Sequence, residues 1–186
     1  PESLGYKALA VNLSDLAAMG AEAAWVTLSL SLPSSDTDWV AAFSDGFCNL
    51  ARQFGVRLVG GDTTRGPRAI SVNAKGFVPA GQALRRRGAQ PGDLIFVTGT
   101  VGDAGLGLKA IREQVTVDDL AYLRQRLERP QPRLAVGQAL CGLATSAIDI
   151  SDGLAADLGH ILSASGVGAV VDLRCLPCSK SMTVYL

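Results

Sequence analysis

The sequence is poor in the residues that build several common classes of site. Its 186 residues include one histidine, His160, which excludes a histidine-rich metal centre. The four cysteines are too few for a disulfide scaffold and favour a reducing cytoplasm. Its 17 basic and 17 acidic side chains cancel, and no apolar run approaches the roughly 20 residues of a membrane span. We therefore expect no nucleic-acid partner and no membrane partner.

The charged residues that are present are unevenly chosen. Aspartate occurs 13 times against four glutamates, and arginine 13 times against four lysines. Glutamate and lysine are typical of solvated helix faces, whereas aspartate is common in caps and metal shells and arginine in bidentate anion contacts. The bias favours a site for a polyanion and a metal ion. The motif Gly-x-x-x-x-Gly-Lys-Ser/Thr is absent, which excludes a Walker-type nucleotide site.

Hydrophobic patterning predicts an α+β arrangement in the first 80 residues. A helix is expected over 4–19, ending before Gly20, and a strand with two distinct faces over 24–32. Asp36 or Thr37 can cap a second helix that carries one apolar stripe and ends at Gly55. Strands over 56–59 and 70–78 are expected to flank a glycine-rich loop over 60–67, with an antiparallel component in the sheet.

A segment rich in glycine, proline and arginine interrupts both periodicities between residues 79 and 92. We therefore predict an N-terminal domain over 1–80, a hinge over 81–92 and a C-terminal α/β domain over 93–186. In the second domain the pattern predicts strands over 94–98, 148–150 and 169–173. Helices are expected to end near residue 112 and to cover about 119–127, 133–144 and 154–165.

Asp15 stands in a helix that is apolar on nearly every face, a composition typical of a buried helix. Asn12 lies three residues earlier, so both polar groups are expected in a dry environment. An ionised carboxylate is unfavourable there unless a cation or several hydrogen-bond donors compensate it. We therefore predict a cation partner for Asp15. The alternative is a buried aspartate that caps a neighbouring backbone segment.

The predicted loop over 60–67 combines groups that hold a phosphate and a metal ion. Gly60 and Gly61 let the backbone approach a ligand, and Asp62, two threonines and Arg65 follow directly. A carboxylate suits Mg²⁺, and a guanidinium with backbone N–H groups suits phosphate. The alternative is a tight turn in which Asp62 is only the turn former.

A second acidic segment surrounds residue 150. Asp149 lies between two β-branched apolar residues, in a strand too short to be a surface ribbon. Ser151 and Asp152 begin a helix, where N–H groups favour anions and Mg²⁺ can bridge carboxylate to phosphate. Capping of that helix by Asp152 would explain Asp152 but not Asp149.

Three weaker patterns lead to alternatives. Gly105–Ala110 imitates a dinucleotide fingerprint, but no acidic strand end follows at the required distance. Cys175 and Cys178 are an isolated pair and do not make up a zinc site. Arg85–Arg87 is typical of a solvated hinge, although one of the three could reach a phosphate.

Four segments occur in a distinctive order. They are N-L-S-D-L-A-A-M-G-A over 12–21, G-G-D-T-T-R-G over 60–66, V-T-G-T-V-G-D over 97–103 and D-I-S-D-G-L over 149–154. Together they resemble the thiamine-monophosphate kinases, a family of the aminoimidazole ribonucleotide synthetase superfamily. The resemblance runs from residue 1 to about 177. The first two segments also separate the chain from selenophosphate synthetases and hydrogenase-maturation dehydratases, which vary them.

The resemblance implies a two-domain α+β fold like that of aminoimidazole ribonucleotide synthetase. It further implies ATP-dependent phosphorylation of thiamine monophosphate to thiamine diphosphate, with several Mg²⁺ ions and a cytoplasmic homodimer paired through the N-terminal domain. The positions that resemble the family's Mg²⁺ ligands are Asp15, Asp62, Asp149 and Asp152, and those that resemble its ATP contacts are Gly61, Asp62, Arg86 and Ser151. No further catalytic residue is implied, because the acceptor is already a phosphate anion.

The chain departs from the family pattern at both ends. An acidic Mg²⁺-binding segment and a His-Phe pair would precede Pro1, and residues after about 178 fit the pattern poorly. We therefore expect a piece of a longer protein, with the thiamine-binding residues outside it. The alternatives are another ATP-using enzyme of the superfamily, a dinucleotide-binding oxidoreductase built on Gly105–Ala110, and a non-catalytic dimerisation module.

Overall fold

The computed structural model describes residues 1–186, which form seven α-helices and three β-strands. In chain order they are α1 Glu2–Ala18, β1 Glu22–Leu32, α2 Thr37–Gln53, β2 Arg57–Arg65, β3 Ala69–Phe77, α3 Asp103–Ile111, α4 Leu120–Glu128, α5 Leu134–Leu140, α6 Leu154–Ser165 and α7 Lys180–Tyr185. A 3-10 turn covers Leu173–Cys175. The predicted α+β class is confirmed.

The chain folds as two compact units. The first contains residues 1–84 and 131–144, and the second contains residues 85–130 and 145–186. Helix α5 belongs to the first unit, where Gly137 lies so close to the Ala17 carbonyl of α1 that no side chain would fit. The predicted limits place this helix in the second domain. The two units are defined by contacts and each contains two separate stretches of chain, so they do not test the predicted limits. The limits 1–80, 81–92 and 93–186 stay a prediction.

The first unit is built on a three-stranded sheet in the order β2-β1-β3. Strand β1 is parallel to β2 and antiparallel to β3. The predicted two faces of β1 are present, because Val26 and Leu30 are buried whereas Thr27 and Ser29 are exposed. Helices α1 and α2 pack on the apolar face. The opposite face of the sheet is open.

Large side chains fill the space between the helices and the sheet. Leu9 and Leu13 of α1 and Phe43 and Phe47 of α2 pack with Val26 of β1 in one buried cluster. Burial of each such side chain contributes roughly 1.5–3 kcal/mol. This cluster fixes the covered face of the sheet, and with it the open face on which part of the candidate site lies.

Helix α2 begins and ends as predicted. The Asp36 carboxylate caps it by accepting a 2.9 Å hydrogen bond from the Trp39 N–H, which decides between the two predicted caps. At the other end Gly55 adopts φ +66°, a conformation that favours glycine.

Helix α1 is only half buried, so the expectation of burial on nearly every face is wrong. Its covered face contains Leu9 and Leu13, whereas Leu4 and Val11 are 40% and 44% exposed. Single apolar side chains on an outer helix face need no burial, because apolar atoms make up much of any protein surface. The apolar composition of α1 therefore predicts more burial than the helix has.

The second unit is helical, and the three strands predicted in it are wrong. Segments 94–98, 148–150 and 169–173 form no ladder in the structure, and Leu94, Phe96 and Val170 are 79%, 86% and 97% exposed. A strand needs a neighbour that pairs its N–H and C=O groups, and β-branched or aromatic composition alone does not supply one. The helices after residue 100 lie close to their predicted positions.

None of the helices combines the length and the apolar character that crossing a lipid bilayer requires.

Candidate functional site

Gly61 and Asp62 lie on β2, in contrast to the predicted loop over 60–67. The strand runs to Arg65 and pairs Gly61 with Leu28 and Asp62 with Ser29 of β1. Gly61 has φ +151°, and a Cβ there would overlap the Leu28 carbonyl oxygen. Two successive glycines suggest a turn, whereas in the structure Gly61 permits a close approach between two strands. Both the loop and the tight-turn interpretations are therefore wrong.

The Asp62 carboxylate lies on the open face of the sheet. Paired residues of neighbouring strands share a face, so Asp62 stands beside the exposed Ser29, and Thr64 beside Ser31. Strand β2 is an edge strand, and each of its residues is exposed. The arrangement offers an accessible carboxylate surrounded by hydroxyl groups.

Asp15 lies in the last turn of α1 and is exposed, which corrects the predicted dry environment. The helix buries the face formed by Leu13 and Ala17, and Asp15 falls between them on the outer side. The Asn12 amide donates to the Ala8 carbonyl at 2.8 Å within the same helix. The desolvation argument for a cation partner at Asp15 therefore does not apply to this chain.

In the second unit, Ser151 and Asp152 are exposed and Asp149 is half-buried. The N–H groups of Ser151, Asp152 and Gly153 all donate to Asp157 Oδ2, at 2.8, 3.1 and 3.2 Å. The alternative in which Asp152 caps α6 is wrong, because Gly153 holds the cap position and no side chain bonds there. The N–H groups of these three residues do not face an external anion, since an internal carboxylate accepts from them, whereas anion binding by the first turn of α6 stays a prediction.

Arg86 is exposed, and the backbone around it is fixed by α6. Ser165 Oγ accepts from the N–H groups of Gly88 and Ala89, at 3.1 and 3.2 Å, and donates to the Arg86 carbonyl at 3.4 Å. The Arg85 carbonyl accepts from the Ala147 N–H at 3.0 Å. The Arg86 side chain forms no ion pair within the chain, so its guanidinium is available to an external anion.

Helix α6 therefore contacts both candidate segments of the second unit. Asp157 holds the segment of Ser151 and Asp152, and Ser165 holds the segment of Arg86. The sequence prediction missed both residues. A carboxylate inside the first turns of a helix that begins after glycine was the available signal for Asp157, and nothing in the sequence pointed to Ser165.

A separate buried carboxylate, Asp103, begins α3. Burial raises the pKa of Asp103, but hydrogen bonds from Ser179, Thr100 and Tyr122 and the charge of Arg126 outweigh it, so the pKa lies below its ordinary value of 3.8. The group is 2% exposed and joins α3 to α4 and to the start of α7. All its partners are internal, which identifies a structural centre rather than a ligand site.

The dinucleotide interpretation of Gly105–Ala110 is wrong. Both glycines lie inside α3, and no strand precedes them. A dinucleotide fingerprint requires glycines in the turn between strand and helix. Gly107 instead permits close packing on α4, where an added Cβ would come within 2.7 Å of the Leu123 carbonyl oxygen.

The predicted metal ligands are divided between the two units. Asp15 and Asp62 belong to the first, and Asp149 and Asp152 to the second. No group of three or more histidine, cysteine, aspartate or glutamate side chains is placed to hold a metal ion. All four cysteines are free.

Two family models match successive parts of the chain. The one described as AIR synthase related protein, N-terminal domain, matches residues 1–78, and the one for the C-terminal domain of the same proteins matches residues 90–184. The expectation that residues after about 178 fit poorly is therefore wrong. The chain is also 54% identical, over 185 residues, to a thiamine-monophosphate kinase of Salmonella typhimurium, covering 98% of this chain and 57% of that relative.

Solved structures of the same kind superpose closely. Thiamine-monophosphate kinase from Stenotrophomonas maltophilia is 52% identical with a TM-score of 0.94, over 100% of this chain and 61% of the other. A structure described as AaThiL complexed with AMPPCP and TMP is 34% identical with a TM-score of 0.90, over 100% of this chain and 60% of the other. The chain thus spans rather more than half the length of the proteins it matches.

Proposed function

This chain belongs to the AIR synthase related protein family, and we propose that the protein containing it phosphorylates thiamine monophosphate to thiamine diphosphate with ATP. The observation that carries the proposal is the match to the structure described as complexed with AMPPCP and TMP, because AMPPCP is a non-hydrolysable ATP analogue. The 54% identity to a thiamine-monophosphate kinase supports the same acceptor. Position by position, the proposed ligands are those that the sequence resemblance assigned.

The residues present have the chemistry that Mg²⁺ and a nucleotide need. The carboxylates of Asp15, Asp62 and Asp152 are exposed oxygen donors, the kind that Mg²⁺ prefers. Arg86 adds an exposed guanidinium suited to a phosphate group. When bound, Mg²⁺ would neutralise phosphate charge and bring the reacting oxygens into line. We propose Asp15, Asp62, Asp149 and Asp152 as its ligands and Gly61, Asp62, Arg86 and Ser151 as nucleotide contacts.

The proposed reaction requires no covalent catalysis by residues of this chain. An oxygen of the thiamine monophosphate phosphate attacks the γ-phosphorus of ATP, the bond to the β-phosphate oxygen breaks, and ADP leaves. No general base is needed, because the attacking oxygen is already ionised. The contribution of the protein is positioning and charge neutralisation, which suits aspartate and arginine side chains. Ser151 would act through its hydroxyl or carbonyl, since its N–H already donates to Asp157.

We also propose a homodimer formed through the end of the open sheet face that bears Trp25 and Phe77, away from Asp62. Trp25 and Phe77 lie there in edge contact, with ring centroids 5.3 Å apart, and are 38% and 61% exposed. Aromatic residues are enriched in protein interfaces. Light scattering of the complete protein at micromolar concentration is expected to report a dimer, and Trp25→Ala to weaken it. A monomer throughout would contradict the proposal. A cytoplasmic location stays a prediction that rests on cysteine usage.

The acceptor decides between this function and its alternatives. The complete protein is incubated with ATP, Mg²⁺ and one acceptor at a time, and nucleotides and thiamine esters are separated by chromatography. We expect ADP and thiamine diphosphate in equal amounts, and only when Mg²⁺ and thiamine monophosphate are both present. Turnover with aminoimidazole precursors or selenide instead would favour another enzyme of the superfamily. No turnover and no Mg²⁺ binding would favour the dimerisation module.

Two substitutions test the residue assignments. Asp152→Asn is expected to lower turnover by a factor of 100 or more, because a metal ligand is lost. Asp118→Asn is the matched control, since Asp118 is also an exposed aspartate of the second unit but lies in no candidate segment. Equal activity of the two variants would remove Asp152 from the site without affecting the proposed reaction.

A further inference from the structure

Asp157 is a buried carboxylate whose partners are three consecutive backbone amides. It lies in α6 and is 2% exposed. One of its oxygens, Oδ2, accepts from Ser151, Asp152 and Gly153, and none of the donors is a charged side chain. Burial of an ionised carboxylate is unfavourable unless donors compensate it, and here the donors are all supplied by one short segment.

This arrangement differs from an ordinary helix cap. In an ordinary cap, a side chain just before the helix accepts from amides inside the first turn. Here a side chain inside the helix accepts from amides of the residues that precede it. The contact therefore stabilises the start of the helix and also fixes the backbone of the segment before it. Gly153, with φ +115°, makes the sharp entry into α6 possible.

We propose that Asp157 is a positioning residue for Ser151 and Asp152, holding their backbone so that the exposed carboxylate and hydroxyl are preorganised for the metal ion and nucleotide. The inference deepens the proposed function and rests on it for the identity of the ligands. Asp157 would touch neither ligand, because its Oδ2 is turned onto backbone amides and the residue is buried. Groups that orient metal ligands in this way typically change metal affinity 10–100-fold when they are removed.

The experiment compares three variants of the complete protein. Asp157→Ala removes the acceptor, and Asp157→Asn keeps one acceptor oxygen without the charge. Asp119→Ala is the matched control, because Asp119 also accepts a backbone N–H at a helix start in the second unit, from Tyr122 at 2.9 Å. Hydrogen exchange of the peptide containing residues 151–153 is measured without ligand. Binding of Mn²⁺, as a probe for Mg²⁺, is measured by electron paramagnetic resonance, and kcat and KM for ATP complete the set.

We expect Asp157→Ala to speed exchange at residues 151–153 at least tenfold and to weaken Mn²⁺ binding at least tenfold. Its KM for ATP should rise more than its kcat falls. Asp157→Asn should recover part of both effects, which keeps the test decisive if the alanine variant does not fold. Asp119→Ala should change neither local exchange nor Mn²⁺ binding.

Two results separate the failure of this inference from the failure of the proposed function. Faster hydrogen exchange in either Asp157 variant, with Mn²⁺ binding and the KM for ATP unchanged, would overturn the positioning role. The proposed function would stand in that case as long as the wild-type protein makes thiamine diphosphate. If the Asp157 variants bind Mn²⁺ more weakly but the wild-type protein makes no thiamine diphosphate, the positioning role is retained and thiamine monophosphate is rejected as the acceptor.

Discussion

Two neighbouring glycines on β2 differ in what they permit, and the difference gives a sharp prediction. Gly60 has no atom within 4 Å of the place where a Cβ would stand and has no left-handed φ. At Gly61 a Cβ would overlap the Leu28 carbonyl, and φ is +151°. Gly60→Ala is therefore expected to be tolerated, and Gly61→Ala to be damaging.

The size of the effect follows from two contributions. A non-glycine residue held in an unfavourable backbone conformation costs about 1–3 kcal/mol. Relief of the overlap with Leu28 moves β2 away from β1, and each ladder hydrogen bond lost costs about 1 kcal/mol. With about two ladder hydrogen bonds lost, we expect Gly61→Ala to lower the free energy of unfolding by roughly 3–5 kcal/mol, from a typical total of about 5–15 kcal/mol. Gly60→Ala should change it by less than about 1 kcal/mol, in the stabilising direction.

Urea unfolding of the complete protein, followed by tryptophan fluorescence, measures both variants. Within this chain the tryptophans are Trp25 and Trp39, both in the first unit, so their contribution to the signal reports on the sheet concerned. Because Asp62 follows Gly61 directly, the proposed kinase turnover should fall only in the Gly61 variant. Equal unfolding free energies for the two alanine variants would refute the argument that close strand approach requires glycine at 61.

Three further predictions concern the second unit. Asp103→Asn should destabilise the protein by about 1–3 kcal/mol near pH 7. Because the folded pKa of Asp103 is lowered, its stabilising effect is present above about pH 4 and is lost as the pH falls through the folded pKa, so urea midpoints of wild type and variant should converge in acid. Gly107→Ala should lower the melting temperature by crowding α4, whereas Gly105→Ala, with open space around it, should raise it slightly. Ser165→Ala should speed exchange of the two amides it binds and raise the KM for ATP, with kcat nearly unchanged.

The sequence was most informative where one face of an element is buried. The alternation of apolar and polar residues in β1 and the apolar stripe of α2 both predicted the correct buried face. In each case the apolar positions are those that contact the same core. Capping of α2 by Asp36 was also among the predicted alternatives, since an aspartate before an apolar periodic run has few other local uses.

The sequence was least informative where structure depends on a neighbour. Strand β2 is exposed along its whole length, so no alternation marked it, and its glycines suggested a turn. Asp15 was predicted to be buried from composition, although which face a helix covers depends on its partners. Segments 94–98 and 169–173 have the composition of strands but no pairing neighbour within this chain. Ser165 bonds backbone groups, which leave no trace in the sequence around it, whereas a carboxylate early in a helix that begins after glycine is a weak signal for Asp157.

Transfer of isotopically labelled phosphate tests the central claim most directly. The complete protein is given Mg²⁺, thiamine monophosphate and ATP whose γ-phosphoryl group carries ¹⁸O at its three non-bridging oxygens, and the products are weighed by mass spectrometry. Direct transfer predicts that all three labelled oxygens appear on the terminal phosphoryl group of thiamine diphosphate. Label found only in inorganic phosphate, with no labelled thiamine diphosphate, would contradict the proposed kinase reaction.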